Sequence, residues 1–252
     1  MNATEAIALD MRVSLPQRLL DLLFPPRCVH CGVSSEPLCA SCRLAIHEPP
    51  TPRCARCDRP ALATTSSRCG ACDALLRGPA QPALERIVVA VEYEGPTGSA
   101  IRALKFRGQR RLAQPLVSLL VGAALRAGLR ADVIIPMPLH LARKRERGYN
   151  QAALLARPLA RTLGAELRED LLARVRATQP QTRLSRVDRR ANVAGAFALT
   201  APAAVALAGK RVLLVDDVTT TGATLDAAAE ALLAGRPAAI CALAVARPVR
   251  DV

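Results

Sequence analysis

The chain has 252 residues, a formal net charge of +14, and a composition that is 51% hydrophobic but only 2% aromatic. That length holds one α/β domain with a sizeable core plus a small appended module, and the core must be built from Leu, Val, Ala and Ile. The charge favours polyanions, but only Lys105, Lys144 and Lys210 are lysines, and an arginine bias of this kind is no argument for nucleic acid by itself.

Residues 15–24 carry apolar side chains at helical spacing and stop at Pro25-Pro26, which predicts a short N-terminal helix. Glu5 and Asp10 fall where a signal peptide would be apolar, so a cytoplasmic protein is expected. Next come four C-x-x-C pairs: Cys28/Cys31, Cys39/Cys42, Cys54/Cys57 and Cys69/Cys72. Each pair can present two thiolates to one tetrahedral Zn²⁺, and two such knuckles close a site. The short intervening segments favour sequential pairing, about two zinc ions in all, and leave interleaved pairing open. A disulfide framework does not suit a cytoplasmic chain, and four pairs are too many for a redox dithiol. A Cys₄ shell has no open position, so the metal should be structural. Few Leu or Ile occupy this stretch, which therefore needs metal to fold. His30 and His47 read as bystanders, Cys241 as a core residue. Eight thiolates with two Zn²⁺ bring the net charge to about +10.

Residues 78–82 form a linker, and from Glu85 the pattern alternates as α/β. Strand 86–93 precedes helices 98–106 and 112–129; within the second, the apolar run 116–125 is too short for a membrane span and contains Ser118 and Gly122. Strand 132–136 ends in Pro136-Met137-Pro138, followed by Arg143, Lys144, Arg145 and Arg147. Cations at the carboxyl end of a strand suit a diphosphate, although a solvated basic turn reads the same. Helix 150–163 contains Pro158, which should kink it. Strand 171–176, a polar loop over 177–191, strand 195–199, strand 212–215, helix 223–233 and strand 239–246 complete a parallel sheet.

Residues 212–225 read VLLVDDVTTTGATL and carry the most chemistry. Four apolar residues make a buried strand, and Asp216 and Asp217 stand where it ends, able to accept hydrogen bonds from vicinal sugar hydroxyls or to attract a hard divalent cation. Thr219, Thr220, Thr221, Gly222 and Thr224 can surround one phosphate at the positive end of the following helix. The Gly-Lys-Ser/Thr ending of a nucleotide-triphosphate loop is missing. The segment reads as a site for a phosphorylated sugar, with a Thr-capped turn as the bland alternative.

This segment resembles the phosphoribosyl-pyrophosphate (PRPP) signature of type I phosphoribosyltransferases. Together with residues 132–156 (DVIIPMPLHLARKRERGYNQAALLA), residues 176–197 (RATQPQTRLSRVDRRANVAGAF) and the cysteine-rich start, it resembles the ComF (competence protein F) family from Leu19 onward. The expected division is an N-terminal helix over 1–24, a double zinc ribbon over 25–77 and, as the resemblance implies, a type I phosphoribosyltransferase domain over 83–252, a parallel sheet flanked by helices. It also implies that Asp216 and Asp217 hold the ribose of Mg²⁺-PRPP and that Val218, Thr219, Thr220, Thr221, Gly222, Ala223 and Thr224 hold its 5′-phosphate. Lys105, Arg143, Lys144, Arg145, Arg147, Gln181, Arg189 and Arg190 would face pyrophosphate or a closing loop that excludes water. The expected activity is phosphoribosyl transfer to an acceptor that the sequence does not name. The family is labelled amidophosphoribosyltransferase-like, but Met1-Asn2 offers no N-terminal cysteine nucleophile, so that reaction is not expected. The rival reading is a PRPP-responsive factor that handles single-stranded DNA with other competence proteins.

Overall fold

The computed structural model describes residues 27–33, 35–61, 67–77, 82–177, 192–200 and 203–248. The predicted N-terminal helix lies outside them, as do Gln181, Arg189 and Arg190.

Two short helices, α1 (Ala40–Leu44) and α2 (Gly70–Leu76), belong to the cysteine-rich segment. Then follow β1 (Arg86–Glu92), α3 (Gly95–Phe106), α4 (Ala113–Arg126), β2 (Val133–Pro136), α5 (Leu141–Arg147), α6 (Gln151–Leu163) and β3 (Glu166–Leu167). The chain continues through β4 (Leu172–Arg174), β5 (Phe197–Leu199), α7 (Ala203–Ala206), β6 (Arg211–Val218), α8 (Ala223–Leu232) and β7 (Ala239–Arg247).

Five strands pair in parallel in the order β1-β7-β6-β2-β3, which puts β6 at the centre. Its residues Val212 to Val215 are buried on both faces, as a doubly covered parallel strand requires. On one face Leu116, Leu120, Leu155 and Leu159 from α4 and α6 pack with Leu213 and Val215. On the other, Leu225, Ala228 and Leu232 of α8 pack with Val212 and Leu214. Small alanines on α4, α6 and α8 fill the positions that aromatic residues would take in a richer composition.

Three sequence expectations change. Strands β4 and β5 do not join the parallel sheet; they form a separate antiparallel pair, Leu172 opposite Leu199 and Arg174 opposite Phe197. A parallel neighbour needs a crossover of about a dozen residues, and only residues 168–171 separate β3 from β4. The basic turn after Pro138 is a helix, α5, closed by Gly148 at φ 76°. And β6 does not stop at Val215 but runs through both aspartates to Val218, because β7 continues beside it and pairs Asp216 with Ala244 and Val218 with Ala246.

The cysteine-rich segment covers the edge strand β1. Ile87 N–H donates to the Arg56 carbonyl at 2.7 Å, Val89 N–H to the Asp58 carboxylate at 2.7 Å, and Glu92 N–H to the His47 carbonyl at 2.9 Å. An exposed row of strand donors invites association, and these contacts close it. Burial raises the Asp58 carboxyl above its usual range, despite the opposing hydrogen bond from Val89 and the charge of Arg53. No helix among the described residues is long and apolar enough to cross a membrane.

Candidate functional site

The cysteines converge in sequential pairs. Cys28, Cys31, Cys39 and Cys42 form one group and Cys54, Cys57, Cys69 and Cys72 another, with all sulfurs of a group within 4.8 Å of one another. Tetrahedral zinc with Zn–S bonds of about 2.3 Å sets its sulfurs about 3.8 Å apart. The pairs Cys28/Cys42, Cys31/Cys39 and Cys57/Cys69 lie at 3.6, 3.7 and 3.7 Å. The donor set and spacing fit Zn²⁺, and both groups are zinc-binding Cys₄ sites. His30 stands outside the first, its Nδ1 3.2 Å from Ser99 Oγ. Cys241, on β7, is only partly buried against the core.

At the carboxyl end of the sheet, Asp216 and Asp217 occupy successive positions near the end of β6, and both line one cavity. Asp217 is 2% exposed, and its carboxylate meets the Lys105 ammonium at 2.6 Å. Asp216 is half-buried, and one of its oxygens accepts the Asp217 amide at 2.8 Å. Burial first, and then the charge of Asp217, push the Asp216 carboxyl well above the usual range. Burial would raise Asp217 as well, but Lys105 outweighs it and holds that carboxyl below the usual range. Lys105 is raised in turn, since its partner's charge exceeds the penalty of burial. The two carboxyls are thus shifted in opposite directions, as like charges in close contact require.

Lys105 reaches Asp217 because the run Arg147 to Gln151 fixes the end of α3. The Tyr149 hydroxyl donates to the Leu104 carbonyl, and Arg110 stacks over the Tyr149 ring at 4.5 Å. Asn150 caps α6 by accepting the Ala152 amide at 3.0 Å while its own amide donates to the Met137 carbonyl at 3.0 Å. Gln151 accepts a hydrogen bond from Arg147 and also steadies the Asp217 carboxylate. Sequence reasoning valued this stretch for its cations; most of its residues instead hold the floor of the site.

A cavity of about 240 Å³ opens over Asp216 and Asp217. Lys105, Arg143, Arg147 and Arg174 line it together with Val218 and Thr224. Arg143 and Arg147 lie one turn apart on α5 and so share a face. Lys144 and Arg145 are exposed on the same helix and are not part of the lining. Arg174 was not foreseen, because LLAR reads as a core strand; β4 instead carries its guanidinium to the cavity, stacked on Phe197 at 5.6 Å. Burial lowers Arg174 from its ordinary value, with the charges of Arg143 and Arg176 acting in the same direction.

The turn from Thr219 to Thr224 opens α8. Thr219 is buried, with its amide on the Ala246 carbonyl at 3.0 Å, and Thr221 Oγ1 accepts the Ala223 amide at 3.3 Å. Gly222 is the N-cap at φ 86°, and a Cβ there would come within 2.7 Å of the Ile87 δ-methyl. The left-handed conformation demands glycine, and any larger residue would also have to push the Ile87 methyl aside.

A parallel sheet flanked by helices, with this turn at the carboxyl end of its central strand, defines the phosphoribosyltransferase class, here joined to a zinc-ribbon module. Residues 116–251 match the phosphoribosyl transferase domain family and residues 19–73 the double zinc ribbon domain family. The DNA utilization protein YhgH of Escherichia coli K12 is 36% identical over 164 residues, 63% of this chain and 70% of that one. Competence protein F of Haemophilus influenzae is 38% identical over 152 residues, 58% and 66% of the two chains. The chain belongs to the phosphoribosyl transferase domain family and, within it, to the ComF group of these relatives. A solved hypoxanthine phosphoribosyltransferase from Staphylococcus aureus aligns with 54% of this chain and 68% of its own at 14% identity and a TM-score of 0.33, too distant to bear on function.

Proposed function

We propose that the site binds Mg²⁺-PRPP and transfers its phosphoribosyl group to an acceptor with release of pyrophosphate. The observation that supports this reading is one cavity lined by the carboxylate pair, by Val218 and Thr224 of the segment that opens α8, and by Lys105, Arg143, Arg147 and Arg174. Vicinal hydroxyls suit the carboxylates, one phosphate suits the turn, and a diphosphate suits the cations. Magnesium, when bound with the ligand, would supply further charge neutralisation of the leaving group. The chain's own part is to orient the sugar and hold the diphosphate charge as it develops.

Isothermal titration with Mg²⁺-PRPP, followed by a pyrophosphate-release screen across amines and bases, tests both halves of the proposal. Because Asp216 is raised in the free protein, ribose hydroxyls that need its carboxylate must displace a proton. Binding therefore releases protons and strengthens as pH rises through the interval between the ordinary carboxylate value and the raised one. Titrations in buffers of different ionisation enthalpy measure that release; none at all would remove Asp216 from the contact.

A second reading has a specific observation behind it. Phe106 is 71% exposed beside this cavity with the Arg147 guanidinium over its ring at 5.5 Å, a surface on which a base of single-stranded DNA could stack. The relatives named for DNA utilization and competence support a role of this kind, which we place in the cytoplasm with other competence proteins. If the two ligands share the cations, Mg²⁺-PRPP shifts single-strand affinity in fluorescence anisotropy at two salt concentrations. Arg143, Arg145 and Arg147 changed to Ser then weaken both ligands. DNA binding that is erased near physiological salt and indifferent to PRPP would leave only the enzyme.

A further inference from the structure

We infer that Arg56 of the second zinc site is a positioning residue of the phosphate-binding turn: it neutralises Asp226, the carboxylate one turn into the helix that receives the 5′-phosphate. The inference rests on the phosphoribosyl reading of that turn and adds to it a component from the other module.

Asp226 is the acidic residue in the first turn of α8, with its amide on the Gly222 carbonyl at 2.8 Å. An acidic side chain there complements the helix dipole when the end is bare. When the same end must take a phosphate, that carboxylate repels the ligand. The turn itself has no cation, since Thr219 to Thr224 contains neither Lys nor Arg.

The cation comes from the ribbon. Arg56 lies between Cys54 and Cys57 and is 7% exposed. Its Nη2 stands 3.3 Å from Asp226 Oδ1 and 3.1 Å from the Leu84 carbonyl, and its Nη1 donates to Cys72 Sγ at 3.8 Å. One guanidinium thus joins a metal-binding sulfur, the approach to the edge strand and the phosphate helix. Two residues past Cys57, Arg59 Nη2 donates to the Thr220 carbonyl at 3.4 Å, within the turn itself. Ile87, whose side chain walls Gly222, donates its amide to the Arg56 carbonyl. The knuckle fold imposed by zinc sets the position of each of these groups.

The test compares zinc-loaded full chains carrying Arg56→Met, Asp226→Asn or both, titrated with ribose 5-phosphate and with inorganic pyrophosphate. Arg56→Met should weaken ribose 5-phosphate about tenfold, as for a charge at a partly buried helix end. Pyrophosphate, held by α5 and Lys105 on the far side, should be unaffected. Asp226→Asn alone should bind ribose 5-phosphate at least as well as the wild type even where its melting temperature falls. The double variant should return to within about twofold of the wild type. A double variant as weak as Arg56→Met, or an Asp226→Asn protein whose affinity drops along with its stability, would overturn the inference and leave Arg56 a structural residue. If Arg56→Met loses zinc, Asp226→Asn still decides the question, because it does not touch the metal module. A wild-type protein that binds neither ribose 5-phosphate nor PRPP is a different failure, that of the phosphoribosyl reading itself.

Discussion

Changing Asp216 and Asp217 together to Asn is expected to weaken Mg²⁺-PRPP binding by about two to four orders of magnitude. Two charge-assisted contacts are lost, each contributing roughly 1.5–3 kcal/mol. Calorimetry of the double variant measures this directly, and unchanged affinity would remove the ribose assignment. The two positions should nevertheless differ when changed singly. Asp216 is half-buried with a raised carboxyl, so Asn in its place removes a charge that folding does not favour, and the melting temperature should hold or rise. Asp217 is buried against Lys105 at 2.6 Å, and Asn there leaves an ammonium without its countercharge. Breaking one side of a buried pair costs about 3–5 kcal/mol, so Asp217→Asn should lose stability as well as affinity. Carboxylates at the end of a strand are expected from sequence to serve the ligand alone; the contact with Lys105 assigns one of this pair to the scaffold too.

That division was invisible in the sequence for a physical reason. Local signals carried most of the fold: the apolar run at Val212 to Val215, the Thr-rich turn with Gly222, and the C-x-x-C spacing that closes the two clusters in sequential order. Each of these is set by neighbours a few residues away. The features that escaped depend on partners far along the chain. Lys105 is 112 positions from Asp217, and Arg56 is 170 from Asp226. Arg174 looked like an interruption in a core strand because nothing local says that β4 leaves the sheet. The length of β6 escaped for the same reason: whether a strand continues through two charged residues depends on whether its neighbour continues, and β7 does. The stretch from Arg147 to Gln151 shows the converse error: it was valued for the charge of Arg147, whereas Tyr149 and Asn150 give their hydrogen bonds to the backbone of α3, α6 and Met137.

The two zinc sites should fail in different ways, although they look alike in sequence. Elemental analysis of protein purified without chelator should give about two zinc ions per chain, and Cys54→Ser with Cys57→Ser should leave one. Sulfurs of the first cluster belong to the large core formed by α3, α4 and α6, where Cys28, Cys39 and Cys42 pack with Leu38. The second cluster is a core of its own, Cys54, Cys57 and Cys72 with Cys69 and Ala61 at its margin. Losing the second should therefore spare both faces of the sheet but release Arg56 and Asp58 from β1. Two edge-strand donors, Ile87 N–H and Val89 N–H, then lose their partners. At about 1–3 kcal/mol for each buried donor left unmade, stability should fall by roughly 2–6 kcal/mol. The uncovered edge should also drive self-association that grows with concentration. The corresponding Cys28→Ser with Cys42→Ser variant removes metal from within the main core and should unfold the phosphoribosyltransferase domain with it. Thermal melts and light scattering of the two variants separate these outcomes. Identical loss of the sheet in both would mean that the ribbon is one cooperative unit, and full zinc retention by either would remove its cysteines from the metal site.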